Sequence, residues 1–164
     1  MKIYIIGMVG SGKTTLAKTL SKELDIPYYE LDSIVYHGKI KNEKEFIMKN
    51  FNKIIKEENW IIEDVLRPYF LKALSFADYI IFLDVNLITR DYRIIKRYII
   101  RKFYNEDKYS NTLKEVKQLL KWSHEFEKNK DERLKLLDGY EDKILTIHNN
   151  KEIKLLIKEL YHIK

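Results

Sequence analysis

Short, uninterrupted apolar runs alternate along this chain with longer stretches whose apolar residues recur every three to four positions. The runs at 2–6, 26–31, 60–62, 79–83 and 144–147 read as five strands. Helices are expected at 13–24 and at about 43–58, 68–76, 87–103, 112–137 and 151–161. Strands apolar throughout suit a parallel sheet covered on both faces. Their alternation with helices predicts an α/β fold: a doubly wound five-stranded parallel sheet in three layers. Functional residues then belong at the carboxyl ends of the strands, where Gly7, Asp32, Glu63 with Asp64, and Asp84 stand. No repeat, low-complexity segment or Pro/Gly-rich linker interrupts the pattern, so residues 1–164 are expected to form one domain.

The first such strand end runs Gly7-Met8-Val9-Gly10-Ser11-Gly12-Lys13-Thr14, a full match to G-x-x-x-x-G-K-[ST]. The glycines let the backbone curl so that successive N–H groups face a phosphate. The helix starting near Lys13 adds its positive end. Lys13 is expected on the β- and γ-phosphates, Thr14 on magnesium, and Thr15 on the α-phosphate, so the implied cofactors are ATP and Mg2+. A dinucleotide-binding reading fails: Gly10-Ser11-Gly12 begins G-x-G, but Thr15 stands in place of the third glycine, and the Lys-Thr pair has no role in that motif.

Glu63 and Asp64 follow an apolar strand, and alternation along it turns only one of them toward the loop. Glu63 is the expected one, holding magnesium through water. Asp32 closes Tyr29-Glu30-Leu31-Asp32. It serves either an acceptor hydroxyl, as ligand or base, or the next helix as a cap. Asp84 is expected to brace the turn after the fourth strand.

Composition narrows the classes. The chain holds 164 residues, 45% hydrophobic and 34% charged, with no cysteine, so disulfides and thiolate-held metals are excluded. Four scattered histidines form no helical pair, and no apolar run approaches the length of a membrane span. The opening residues read as a buried strand rather than a signal peptide, and a cytoplasmic location is expected. The net charge of +6 comes largely from lysines read as solvated helix faces. The six arginines say more. Arg90, Arg93, Arg97 and Arg101 follow one another at helical spacing, and Arg67 stands just past the third strand. Arginine offers forked contact with phosphate. The four are expected to form one stripe that either closes over ATP or is a solvated basic face pairing with acids such as Asp91.

With these motifs the chain resembles the P-loop nucleoside and nucleotide kinases of the adenylate-kinase-like group. More closely it is similar to the DNA topology modulation (FlaR-like) proteins. The likeness includes the loop, Tyr29-Glu30-Leu31-Asp32, Trp60-Ile61-Ile62-Glu63, Ile81-Phe82-Leu83-Asp84, Arg93 with Lys96-Arg97, and Lys121-Trp122-Ser123. It implies that Arg67 holds the acceptor, since Glu63-Asp64-Val65-Leu66-Arg67 stands where those kinases carry Asp-Gly-Phe-Pro-Arg. It also implies that Arg93 and Arg97, nine and thirteen residues after Asp84, cradle the donor nucleotide. Asp64 replaces a glycine there and crowds the place of an acceptor nucleotide, which tells against a nucleoside monophosphate. Residues 33–58 are expected to form the acceptor side, 98–112 a short lid, and Asn149 a donor-base contact. Tyr36, Phe46 and Phe51 are expected either in the core or stacked on a base.

The expected function is a kinase passing the γ-phosphoryl group of Mg·ATP to a small molecule. Lys13, Arg93, Arg97 and Asp32 are its candidate catalytic groups. Gly7, Gly10, Ser11, Gly12, Lys13, Thr14, Thr15 and Asn149 would bind the nucleotide, and Asp32 with Arg67 the acceptor. Two alternatives stay open: an ATP-dependent DNA-associated regulator, although no motif indicates nucleic acid, and a nucleotide binder with feeble turnover. Oligomeric state is not legible.

Overall fold

A computed structural model describes residues 1–37, 40–103 and 112–163. In chain order its elements are β1 (Lys2–Gly7), α1 (Lys13–Leu24), β2 (Tyr28–Glu30), α2 (Leu31–Val35), β3 (Tyr36–His37), β4 (Ile40–Lys41) and α3 (Lys44–Ile54). There follow β5 (Trp60–Asp64), α4 (Lys72–Phe76), β6 (Tyr79–Leu83), α5 (Leu87–Phe103), α6 (Leu113–Lys128), α7 (Lys130–Leu134), β7 (Ile144–Ile147) and α8 (Asn150–Ile163). Five strands form a parallel sheet in the order β2-β5-β1-β6-β7, and β3 and β4 pair as a separate antiparallel hairpin.

The expected α/β/α architecture is therefore the observed one, and alternation along each strand builds two cores. On one face Ile3, Ile5, Ile61, Ile81 and Leu83 pack with Leu16, Leu20 and Leu24 of α1 and Leu156 and Leu160 of α8. On the other, Tyr4, Ile6, Trp60, Ile62 and Phe82 pack with Phe51 of α3, Phe70, Leu74 of α4 and Phe126 of α6. Both faces are dry, which is why the strands carry no polar alternation until their carboxyl ends.

Several boundaries differ from the sequence reading, among them the helix expected at about 43–58, which ends at Ile54. The second strand is shorter than 26–31 because Leu31 already opens α2, a five-residue helix the sequence reading lacked. The third strand runs two residues farther, through Glu63 and Asp64, which pair with Ile5 and Ile6 of β1. The stretch 68–76 divides into a 3-10 turn at Pro68–Phe70 and α4. The stretch 112–137 breaks at Asn129, whose φ of −112° leaves the helical region and whose amide Nδ2 donates to the Glu125 carbonyl at 3.1 Å. Thr112 and Glu115 start α6 as a capping box. α1 ends at Asp25, at φ 52°, a left-handed conformation that a short acidic side chain tolerates.

Candidate active site

The loop between β1 and α1 lies at the carboxyl end of the sheet, between β5 and β6. Gly10 and Gly12 take φ of 79° and 102°, conformations that favour glycine. Gly10 is also pressed against α5: a Cβ there would lie 2.8 Å from the Arg90 carbonyl oxygen. No side chain caps α1, whose N-cap is Gly12, so the loop itself forms the anion-facing end of that helix. The Ser11 N–H donates to the Met8 carbonyl at 3.1 Å, while the Ser11 hydroxyl is fully buried without a protein partner.

Lys13 folds back over this loop, its Nζ donating to the Met8 carbonyl at 3.2 Å and lying 3.7 Å from Glu63 Oε2. The Thr14 hydroxyl donates to Glu63 Oε1 at 2.7 Å. Glu63 is 6% exposed and Lys13 9%. Burial pushes the Glu63 carboxyl above its ordinary value, with Lys13 and Thr14 pulling the other way. Burial likewise lowers Lys13, opposed first by Glu63. The two are thus a desolvated pair whose charges hold each other in place. The sheet's alternation sends Glu63 to the α1 face and Asp64 to the other, as expected. Thr15 is exposed on the first turn of α1.

Asp64 meets Arg67 instead. The Arg67 N–H donates to Asp64 Oδ2 at 2.6 Å, and the guanidinium donates from Nη1 to Asp64 and from Nη2 to Asp32. Leu66, at φ 62°, makes the tight turn that brings Arg67 back onto the strand end. Burial works against the Arg67 charge, but Asp64 and then Asp32 outweigh it and hold the guanidinium above its usual pKa. Asp32 sits in the first turn of α2 with its side chain 63% exposed. Its charge, like those of Asp64 and Arg67, acts on Lys13, so the two clusters adjoin.

The arginines of α5 divide. Arg93 reaches the loop, its Nη1 donating to the Ser11 and Gly10 carbonyls at 2.8 and 3.2 Å. Arg93, Lys96, Arg97, Ile100 and Arg101 line an open groove of about 290 Å³. Desolvation there lowers the Arg97 pKa, and Arg101 lowers it further. Arg90 does not join them in that groove. It is 2% exposed, lies 5.7 Å from the Phe126 ring and donates to Glu127 of α6. The expected single stripe is corrected here, because one side of α5 packs against α6 and takes Arg90 and Ile94 with it. Asp91 pairs with His124, not with the stripe.

Other expected residues lie farther out. Asn149 follows β7, and its Oδ1 accepts from the Lys151 and Glu152 N–H groups at 2.9 and 3.2 Å, capping α8. Asp84 pairs with Lys130 and His148 at the turn into α5. Phe51 is core, 4.7 Å from the Phe70 ring, whereas Phe46 and Tyr36 are exposed. Most of the expected lid, 104–111, lies outside the described residues.

The Arg90–Glu127 contact and the Asp64–Arg67 turn went unread in the sequence. For the first, the signal was an arginine in a lysine-dominated chain, one turn ahead of Arg93, with Phe126-Glu127 on a second helix.

A family model for the "ATPase family associated with various cellular activities (AAA)" matches residues 3–161. A shikimate kinase of Bacteroides fragilis is 30% identical over 102 residues, covering 52% of this chain and 57% of the relative. The chain thus spans little more than half the length of that relative. Among solved structures, shikimate kinase from Bacteroides thetaiotaomicron superposes with a TM-score of 0.60 at 17% identity, over 99% of this chain and 97% of the other. Deoxyadenosine kinase from M. mycoides superposes with a TM-score of 0.51 at 20% identity over the whole of both chains. Those likenesses show the fold. Together with the glycine loop and the strand-end carboxylate beside it, the match over 3–161 places the chain as a P-loop protein and a member of the AAA family of ATPases.

Proposed function

We propose that this protein is a small-molecule kinase that transfers the γ-phosphoryl group of ATP. The observation that carries this reading is the convergence of Lys13, Thr14 and Glu63 beside the glycine loop, with Asp32 and Arg67 adjoining on the side away from α5. The shikimate kinase relative supports it.

In this reading the amides of 7–15 and the Ser11 hydroxyl hold the phosphates, Lys13 bridges the terminal two, and Thr15 adds a hydroxyl. The donor set fits magnesium: a hydroxyl and a carboxylate 2.7 Å apart, both hard oxygens. No group of three or more His, Cys, Asp or Glu able to hold a metal occurs among the described residues, so Thr14 and Glu63 would share the ion with phosphate oxygens and water. Magnesium supplies charge neutralisation on the phosphates. Arg93, fastened to the loop, and Arg97 face the charge that develops on the transferring group. The acceptor oxygen bonds to the γ-phosphorus, the bond to the β–γ bridging oxygen breaks, and ADP leaves with that electron pair. Asp32 and Arg67 position the acceptor, and the segment after β7, where Asn149 caps α8, is the proposed donor-base contact. A cytoplasmic location goes with the use of ATP, and no helix among the described residues is long and apolar enough to cross a membrane.

The resemblance to DNA topology modulation proteins rests on the motifs alone. A DNA-associated role draws on the basic groove of α5. It predicts binding to duplex DNA that weakens steeply with salt. The test of the kinase reading is ADP release from Mg·ATP against nucleosides, nucleoside monophosphates, sugars and hydroxy acids. Stimulation by one acceptor class, abolished in Lys13→Ala, is expected. Equal ADP release with and without every acceptor would favour the binding or DNA readings.

A further inference from the structure

Arg67 is the residue that the family resemblance assigns to an anionic group on the acceptor, yet both its terminal nitrogens already have carboxylate partners. Nη1 donates to Asp64 and Nη2 to Asp32. The Asp64 side chain is fully buried and also accepts the Arg67 backbone N–H, so that half of the cluster is fixed by the fold. Asp32 is its exposed half. Two carboxylates against one guanidinium leave this corner net negative. An incoming phosphate or carboxylate could take only the remaining N–H groups of Arg67, and it would lie there beside Asp32 and Asp64, like charge against like charge.

A neutral hydroxyl meets no such barrier, because it donates to the exposed carboxylate while the Arg67 contact stays in place. The rest of the corner suits such a partner. Tyr69 is half-buried and interacts electrostatically with Arg67, Asp64, Tyr36 and Asp32, burial chiefly raising its phenol above the ordinary value. Tyr36, beside Tyr69, is 41% exposed.

Building on the kinase reading, we infer that the acceptor is a neutral hydroxyl compound, such as a sugar, polyol or nucleoside. It carries neither phosphate nor carboxylate at the end facing Arg67. Its hydroxyl oxygen attacks the γ-phosphorus, its proton passes to the Asp32 carboxylate, and ADP departs with the electrons of the broken bond.

The test compares matched sets in the ADP-release assay with the full chain: a nucleoside with its 5′-monophosphate, and an alditol or aldose with the corresponding acid and phosphate. The neutral member of the active set should show kcat/KM about tenfold or more above its charged partners. Asp32→Asn frees Arg67 on one side and is expected to lower the neutral rate while raising that of the phosphorylated partner, narrowing or reversing the preference. Asp32 is exposed, so folding is not at stake in that variant. A charged member that wins in the unsubstituted protein overturns this inference and leaves the kinase reading intact. An unchanged ratio in Asp32→Asn also overturns it. Silence from every set, with ATP still bound, removes the kinase reading and this inference together.

Discussion

Gly10 and Gly139 both take positive φ, 79° and 87°, but a methyl group would meet very different surroundings at the two. At Gly139 an added Cβ has nothing within 4 Å. Gly139→Ala therefore carries only the cost of a left-handed alanine, about 1–2 kcal/mol. At Gly10 the same Cβ would lie 2.8 Å from the Arg90 carbonyl oxygen and 3.2 Å from the Arg90 Cα. Both are backbone atoms of a helix anchored by a buried side chain, so α5 itself must shift. Overpacking of that kind adds roughly 1–3 kcal/mol. In a chain of this size the excess corresponds to roughly 2–12 °C in melting temperature beyond the Gly139 variant. The shift also stretches the two hydrogen bonds from Arg93 to the Gly10 and Ser11 carbonyls. ATP affinity should then fall in Gly10→Ala and stay unchanged in Gly139→Ala. Thermal melts and a titration with a fluorescent ATP analogue read both effects. Equal destabilisation of the two variants with unchanged ATP affinity would refute the contact between loop and helix.

The ion pair between α5 and α6, buried at its arginine end only, should respond unequally to loss of its two ends. Glu127→Ala strands the Arg90 guanidinium, whose side chain is 3% exposed, and is expected to cost about 2–4 kcal/mol. Arg90→Met leaves Glu127, at 39% exposure, free to hydrate, and should cost about 1 kcal/mol; the reverse ranking in urea denaturation would contradict the burial argument. The acid limb of kcat/KM, which reports the protein before Mg·ATP binds, should lie above the value of about 4.3 for an ordinary glutamate, because burial raises Glu63 and it takes up its proton early as pH falls. Glu63→Gln should remove that limb along with most of the turnover, and a limb at the ordinary value would count against Glu63 as the titrating group. Thr112→Ala deletes the capping box of α6 and is expected to cost about 1 kcal/mol, read as a melting-temperature drop of a few degrees.

Strands and long helices were legible wherever one residue period ran unbroken. β6, β7, α1 and α5 appear with the boundaries read from the sequence, because apolar runs and amphipathic stretches each signal one environment. The P-loop was equally legible, since its glycines and its Lys-Thr pair answer to a single chemistry. Short elements were not. α2 spans five residues and the strands of the β3–β4 hairpin two each, too few to display a period. Acidic residues hid the end of β5, for Glu63 and Asp64 look like a strand's exit until register with β1 shows them buried and paired. The divided arginines of α5 were unreadable for a related reason. Helical spacing shows which residues share a side, but only the packing of α6 decides that Arg90 is interior and Arg93 faces the loop. The occupancy of Arg67 by two carboxylates required the left-handed turn at Leu66, and no residue type announces that turn.

Whether γ-phosphoryl transfer takes place at the Lys13–Thr14–Glu63 cluster is decided by incubating the protein with magnesium, ATP labelled in its γ-phosphate, and a pool of small metabolites, and separating the products. Label is expected to move into a small organic molecule, Lys13→Ala to abolish the transfer, and the labelled product to be absent without the metabolite pool. Label found only as inorganic phosphate, or transfer undiminished in Lys13→Ala, would contradict transfer at that cluster.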